Sequence, residues 1–301
     1  MAVASAALLL AGVAAGADVW ARKMEIVKTP EGQETVFSDS VSITDNDTRI
    51  VAGRARLNDV LGVAVIADSV FISNPDAEVW ADSAVYRLEE RLTFLYGSVR
   101  VRQESLDIEA PFLAYSIPDR NVTADSGVSL RDRDRGFVVY GKRGSYDLAN
   151  EEGLVDSTPR LVLGEETDSV EVLSERVSWF GQESRAVVAG EVRVGTGKSN
   201  LTCDTLEYFT ETDSGTCWGS PLLRDSTSRT SGDTVTFKVA DGKLDRLRVA
   251  GAASGEYTTE DGNRVEVEGS EIHIRFSGGE LDEVEVHELE RGVLVRTGEE
   301  L

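Results

Sequence analysis

Asp204-Thr205-Leu206-Glu207-Tyr208 is the stretch that decides how the chain is read, because its pattern returns again and again. The pattern is a small or acidic residue, an apolar residue two places on, and an aromatic two places after that. Asp82-Ser-Ala84-Val-Tyr86, Pro111-Phe-Leu113-Ala-Tyr115, Glu175-Arg-Val177-Ser-Trp179 and Asp233-Thr-Val235-Thr-Phe237 repeat it, and Tyr146, after Gly144, completes the column. From Tyr86 through Tyr115, Tyr146, Trp179 and Tyr208 to Phe237 the intervals are 29, 31, 33, 29 and 29 residues. A near-constant period in this range marks a repeat architecture.

Between these segments lies a second type in which apolar residues alternate with charged ones, as in Gly97-Ser-Val99-Arg-Val101 and Gly190-Glu-Val192-Arg-Val194. Period-2 alternation means half-buried strands. The connecting stretches, such as Asn150-Glu-Glu-Gly153 and Thr212-Asp-Ser-Gly215, are short and turn-forming, so neighbouring strands run antiparallel. No segment carries a convincing 3.6-residue period, and very little helix is expected. A lone hairpin is marginal in water, so the repeats must stack and bury a shared apolar stripe. The expected fold is all-β, an elongated array of antiparallel hairpins with an apolar groove. The residues expected to line it are Tyr86, Val99, Val101, Leu113, Tyr115, Val177, Trp179, Val192, Val194, Leu206, Tyr208, Val235 and Phe237. Aliphatic and aromatic lining suits an acyl chain, although strand-facing aromatics more often simply pack.

With 54 acidic against 31 basic residues in 301, the net charge is −23, which leaves no basic footprint for a nucleic acid. Residues 1–17 are uncharged, carry an apolar run around Leu8–Leu10 and end in Ala15-Gly16-Ala17, as a cleaved export signal does. The expected organisation is this signal, an N-terminal segment at 18–34, a single repeat domain at 35–296 and a tail at 297–301.

The Asp204–Tyr208 and Asp82–Tyr86 segments, with partner strands of the Ala189-Gly190-Glu-Val192-Arg-Val194 kind, resemble the repeats of the LptA/OstA family over roughly residues 35 to 296. That family includes LptC and the periplasmic N-terminal domain of LptD. The resemblance implies an antiparallel β-jelly-roll opened, taco-like, into a V-shaped groove. It further implies a periplasmic location, binding of lipopolysaccharide acyl chains, and docking to LptC-like and LptD-like proteins or to further copies head to tail. Unpaired terminal strands would serve that docking by strand addition, with the segments near Val41 and Leu294 as candidates. The alternative is a structural or adhesive repeat protein with a closed core and no cargo.

The residues give little support for catalysis, and no catalytic residue, metal ligand or cofactor is assigned. A Ser-His-Asp triad has no G-x-S-x-G elbow to focus it. Paired carboxylates could cleave a polysaccharide, but they fall mainly in turns and on outward positions. His273 and His287, the only histidines, sit beside Glu271 and Glu285 and read as part of a solvated strand. Cys203 and Cys217 lie 14 residues apart and flank the turn around Thr210. In an exported hairpin they are either a structural disulfide or two buried thiols.

Overall fold

The computed structural model describes residues 18–45, 47–134, 136–164, 169–195, 199–240, 243–259, 261–277 and 280–296. The expected signal at 1–17 and tail at 297–301 lie outside the described residues. The chain divides into two compact units with their boundary between Ser157 and Thr158. Among the described residues everything regular is antiparallel strand, apart from one 3-10 turn at Gly181–Glu183, and no helix is long and apolar enough to cross a membrane.

The first unit is a meander of β1 (Asp18–Trp20), β2 (Lys23–Thr29), β3 (Gly32–Asp45), β4 (Thr48–Asn58), β5 (Val63–Ser73), β6 (Glu78–Arg87), β7 (Leu92–Gln103) and β8 (Leu106–Ser116). It continues with β9 (Asn121–Ala124), β10 (Val128–Asp132), β11 (Phe137–Gly141), β12 (Arg143–Asp147) and β13 (Glu152–Asp156). From β3 to β8 each strand pairs with the next; β9 and β10 then share the two halves of β8. The expected N-terminal segment is thus strand: β2 pairs with the first half of β3 and β1 with the second.

In every long strand the ladder breaks once near the middle. The interior residues of β6 are Val79 and Ala81, then Ala84 and Tyr86; those of β8 are Ile108 and Ala110, then Leu113 and Tyr115. The parity changes because an extra residue is inserted at the break, so both halves of the bent strand face the same interior. On the alternate strands the break is a left-handed backbone, at Asp39, Asp68, Gly97 and Ser126, each 29 residues after the last. The repeat period read from the aromatics is therefore the path from corner to corner.

The acidic residue that opens the repeat motif stands at these corners. A Cβ on Gly97 would lie 2.0 Å from Asp82 Oδ2, and one on Gly219 would lie 2.3 Å from Asp204 Oδ2. The pairs Glu175 with Gly190 and Asp233 with Gly251 repeat the arrangement. The Asp233 N–H is shared between the carbonyls of Ala250 (3.0 Å) and Gly251 (2.9 Å), which closes the bulge. Only glycine combines positive φ with such close approach.

The second unit contains β14 (Arg160–Leu163), β15 (Val170–Leu173), β16 (Arg176–Phe180), β17 (Arg185–Gly195), β18 (Asn200–Phe209), β19 (Ser214–Trp218) and β20 (Leu222–Arg224). There follow β21 (Ser228–Ser231), β22 (Thr234–Ala240), β23 (Lys243–Thr258), β24 (Arg264–Ser277) and β25 (Glu280–Val295). Its corners repeat the same device, with β19 and β20 on the two halves of β18 and the long β23 spanning both β21 and β22.

Each unit buries its own apolar cluster, the first centred on Ile50, Ile66, Ile72 and Val99, the second on Val192, Val235, Val249 and Ile272. Fully burying each such side chain contributes about 1.5–3 kcal/mol. The outward faces carry cross-strand ion pairs such as Arg100 with Glu109 at 2.8 Å and Arg102 with Asp107 at 3.1 Å. Each such exposed pair adds at most about 1 kcal/mol, and the set serves mainly to keep that face wet.

One expectation needs correction. Val41 does not lie at an edge: it is 1% exposed in β3, which β4 covers on one side and β1 and β2 on the other. The edge strands are β1 and β2 at one terminus and β25 at the other, and they carry exposed Trp20, Met24 and Ile26, and Leu289 and Leu294. Of the two alternatives for Cys203 and Cys217, the structure has the buried thiols. The ladder sets Cys217 opposite Leu206, while Cys203 lies on the far side of the corner at Asp204, opposite Val192. The neighbouring Cys203 thiol and then burial push the Cys217 thiol far above its ordinary range, while Cys217 draws Cys203 below its own.

Candidate functional site

The aromatic column seen in the sequence is a register row. In the first unit the pairing runs Leu57, Ala64, Tyr86, Thr93, Tyr115, Val122 and Tyr146, strand by strand. In the second it runs Trp179, Ala186, Tyr208, Gly215, Phe237, Leu247 and Ile274. Ala186 and Gly215 stand between successive rings in the second unit, and Thr93 and Val122 in the first. Tyr208 and Phe237 stack with centroids 6.2 Å apart, and the Phe237 ring covers Gly215 so closely that a Cβ there would sit 2.4 Å from Cζ.

Beside the aromatic row of the second unit runs a wholly apolar one: Val177, Val188, Leu206, Cys217, Val235, Val249 and Ile272, paired in that order and all buried. Val99, Val101, Val192 and Val194 lie on the other side of the corners and face the same interiors, Val194 half-buried and the other three buried. The structure thus gathers the expected lining residues into two interiors, one per unit.

The two units differ along their aromatic rows. Tyr86 and Tyr115 are each 3% exposed, whereas Tyr146 in the first unit and Trp179, Tyr208 and Phe237 in the second are only half-buried. The residue two places after each aromatic also differs between the units. In the first unit it is Leu88, Ile117 or Leu148, and the last two are buried. In the second it is Gly181, Thr210 or Val239, none of which is buried. Backbone bonds hold these residues over the row end: Leu88 N–H donates to Gly62 O, Ile117 to Arg91 O, Leu148 to Arg120 O, Thr210 to Ser184 O and Val239 to Asp213 O. Each acceptor is the left-handed residue of the preceding turn. Ile117 and Leu148 lie there as buried aliphatic plugs and Leu88 as a half-buried one, while the second unit has no aliphatic residue in two of its three places.

The hydroxyls end the rows with polar contacts. Tyr208 donates to Asp213 at 2.8 Å, and burial with that carboxylate holds the phenol up at about 12. Burial likewise raises Tyr86 and Tyr115, opposed by the guanidinium of Arg91 at both and of Arg120 at Tyr115. Every one of these phenols is therefore neutral at physiological pH. The rows present apolar surface and hydroxyl tips, with no proton-transfer group among them.

No protein-family model matches the chain, and no curated protein matches it. Among solved structures it is similar to LptH of Pseudomonas aeruginosa, the LptA homologous periplasmic component of the conserved lipopolysaccharide transport device. The identity is 12%, the match covers 54% of this chain and 76% of that one, and the TM-score is 0.16. At that score the two backbones do not superpose as wholes, so the functional reading rests on this chain's own rows.

Proposed function

We propose that the chain is a periplasmic carrier that shields the acyl chains of lipopolysaccharide, or a related glycolipid, on the way to the outer membrane. The observation that carries this reading is the unplugged end of the second unit. There half-exposed Trp179, Tyr208 and Phe237 border a continuous buried apolar row. An acyl chain laid against that row gains about 0.8 kcal/mol per methylene removed from water. The motif resemblance to the LptA/OstA repeats points the same way. Transfer needs no covalent chemistry, so the chain is not an enzyme. The net charge of −23 disfavours phosphate near the protein and suits a site that holds only the tails. The apolar side chains on β1, β2 and β25 fit docking of LptC-like and LptD-like partners, or of further copies, by strand addition.

The plugged interior of the first unit favours a second reading, in which the rows are closed core throughout and the protein is structural or adhesive. Native mass spectrometry of residues 18–301 with added lipopolysaccharide separates the two. A carrier retains bound glycolipid and loses it when Trp179 and Tyr208 are both replaced by Asp in a chain that still gives the strand signature in circular dichroism. A ligand-free mass at every lipid concentration supports the structural reading.

A further inference from the structure

The chain's only two histidines lie on adjacent strands, His273 on β24 and His287 on β25. The ladder sets His273 opposite Glu285 and Glu271 opposite His287. Residues two apart on a strand share a face, so these four side chains form a square on one side of the sheet, opposite the face that buries Ile272 and Ile274. The imidazole centroids are 4.4 Å apart. One nitrogen of each ring and one carboxylate oxygen of Glu285 all lie within 4.8 Å of one another. Donors at zinc distances around a tetrahedral centre stand about 3.3 Å apart, a gap that small side-chain rotations close.

A second observation points to a ligand. His287 Nε2 is shut off from solvent and makes no hydrogen bond, and Glu285 Oε1 is 3.5 Å away. A buried ring nitrogen without a partner is costly, and a cation between it and the carboxylate would satisfy both. His273 is held differently: its Nε2 is 2.9 Å from Glu271 Oε2, and Glu271 is in turn gripped by the Arg248 guanidinium, whose Nε lies 2.9 Å from the same carboxylate. A carboxylate bonded to one imidazole nitrogen is the usual support that fixes the ring and the tautomer of a metal-binding histidine.

We infer that His273, His287 and Glu285 form a binding site for a divalent transition ion of the zinc class, with Glu271 as the positioning residue for His273. Two imidazoles select against calcium and magnesium, which take oxygen ligands. Three protein ligands leave a fourth position for water or an outside donor. The ion bridges β24 to β25, and β25 pairs only with β24 among the described strands. Occupancy therefore fastens the exposed C-terminal edge.

The test uses the chain without a polyhistidine tag, titrated with cobalt(II) and, separately, with zinc(II). The expected result is one equivalent of cobalt giving the intense visible bands of a four-coordinate nitrogen-containing site. Zinc displaces it and slows hydrogen exchange in β25. Affinity falls at least tenfold in His273→Gln and in His287→Gln, and about 10–100-fold in Glu271→Gln. Weak multi-site binding that is unchanged in a His273→Gln/His287→Gln chain overturns the inference, because it reports only the 54 acidic side chains. So do pale six-coordinate cobalt bands in the unaltered chain, a readout that does not depend on any variant folding.

Discussion

Replacing Gly97 by alanine strikes the corner of β7 in two separable ways. The residue has φ +96, where an L side chain strains the backbone by roughly 1–3 kcal/mol. Its new Cβ would also meet Asp82 at 2.0 Å from Oδ2 and 2.5 Å from Cβ, so the carboxylate cannot simply swing aside and the strands must part. Forced overpacking of this kind adds about 1–3 kcal/mol. Gly127 provides the control: its φ is +120, yet a Cβ there meets nothing within 4 Å, so Gly127→Ala carries only the backbone part. The two variants should therefore differ by about 1–3 kcal/mol, and the difference should vanish when Gly97→Ala is made in an Asp82→Gly background. Urea unfolding followed by hydrogen exchange at β6 and β7 amides isolates the first unit, since a chain of two units need not unfold in one step. Equal losses for Gly97→Ala and Gly127→Ala would refute the idea that an acidic side chain over a glycine sets the corner.

Other consequences follow from the same geometry. Ile272→Ala, at a position 0% exposed, should destabilise the second unit by about 2–5 kcal/mol, read from exchange at β23 and β24. Thr210→Leu installs the aliphatic plug of the first unit and should weaken lipid uptake severalfold in a fluorescent acyl-probe assay, with the fold kept; unchanged uptake would place the cargo elsewhere. Arg248, then His273, holds the Glu271 carboxyl at about 2 against an ordinary 4.5. Because the folded value is depressed, its contribution is complete above about pH 4.5 and is lost as pH falls towards 2. Melting curves across that window should steepen less with acid in Arg248→Gln, and identical slopes would contradict the assignment.

The repeat was legible because the distance from corner to corner is fixed by strand length, and the aromatics at Tyr86, Tyr115, Tyr146, Trp179, Tyr208 and Phe237 record it. Why an acidic residue opens the motif was not legible. Asp82 acquires its role only when the next strand brings Gly97 against it, a matter of register rather than local pattern. The plugs Leu88, Ile117 and Leu148 stood in plain view two residues after each tyrosine, but a lone aliphatic after a strand reads as part of a turn. The N-terminal strands were missed because Lys23–Thr29 lacks clean alternation, and it lacks it because β2 is an edge exposed on both faces. Cysteine and histidine geometry hid for one reason: register decides which residues 12 or 14 apart pair directly across the ladder, as His273 and Glu285 do and Cys203 and Cys217 do not.

The most direct measurement of the carrier account places a photo-crosslinking phenylalanine analogue at position 208, where Tyr208 borders the unplugged row, and another at the outward, exposed Arg193. On irradiation with lipopolysaccharide present, the account requires an adduct from position 208 and none from position 193. No adduct at 208, or equal labelling at both positions, would contradict it.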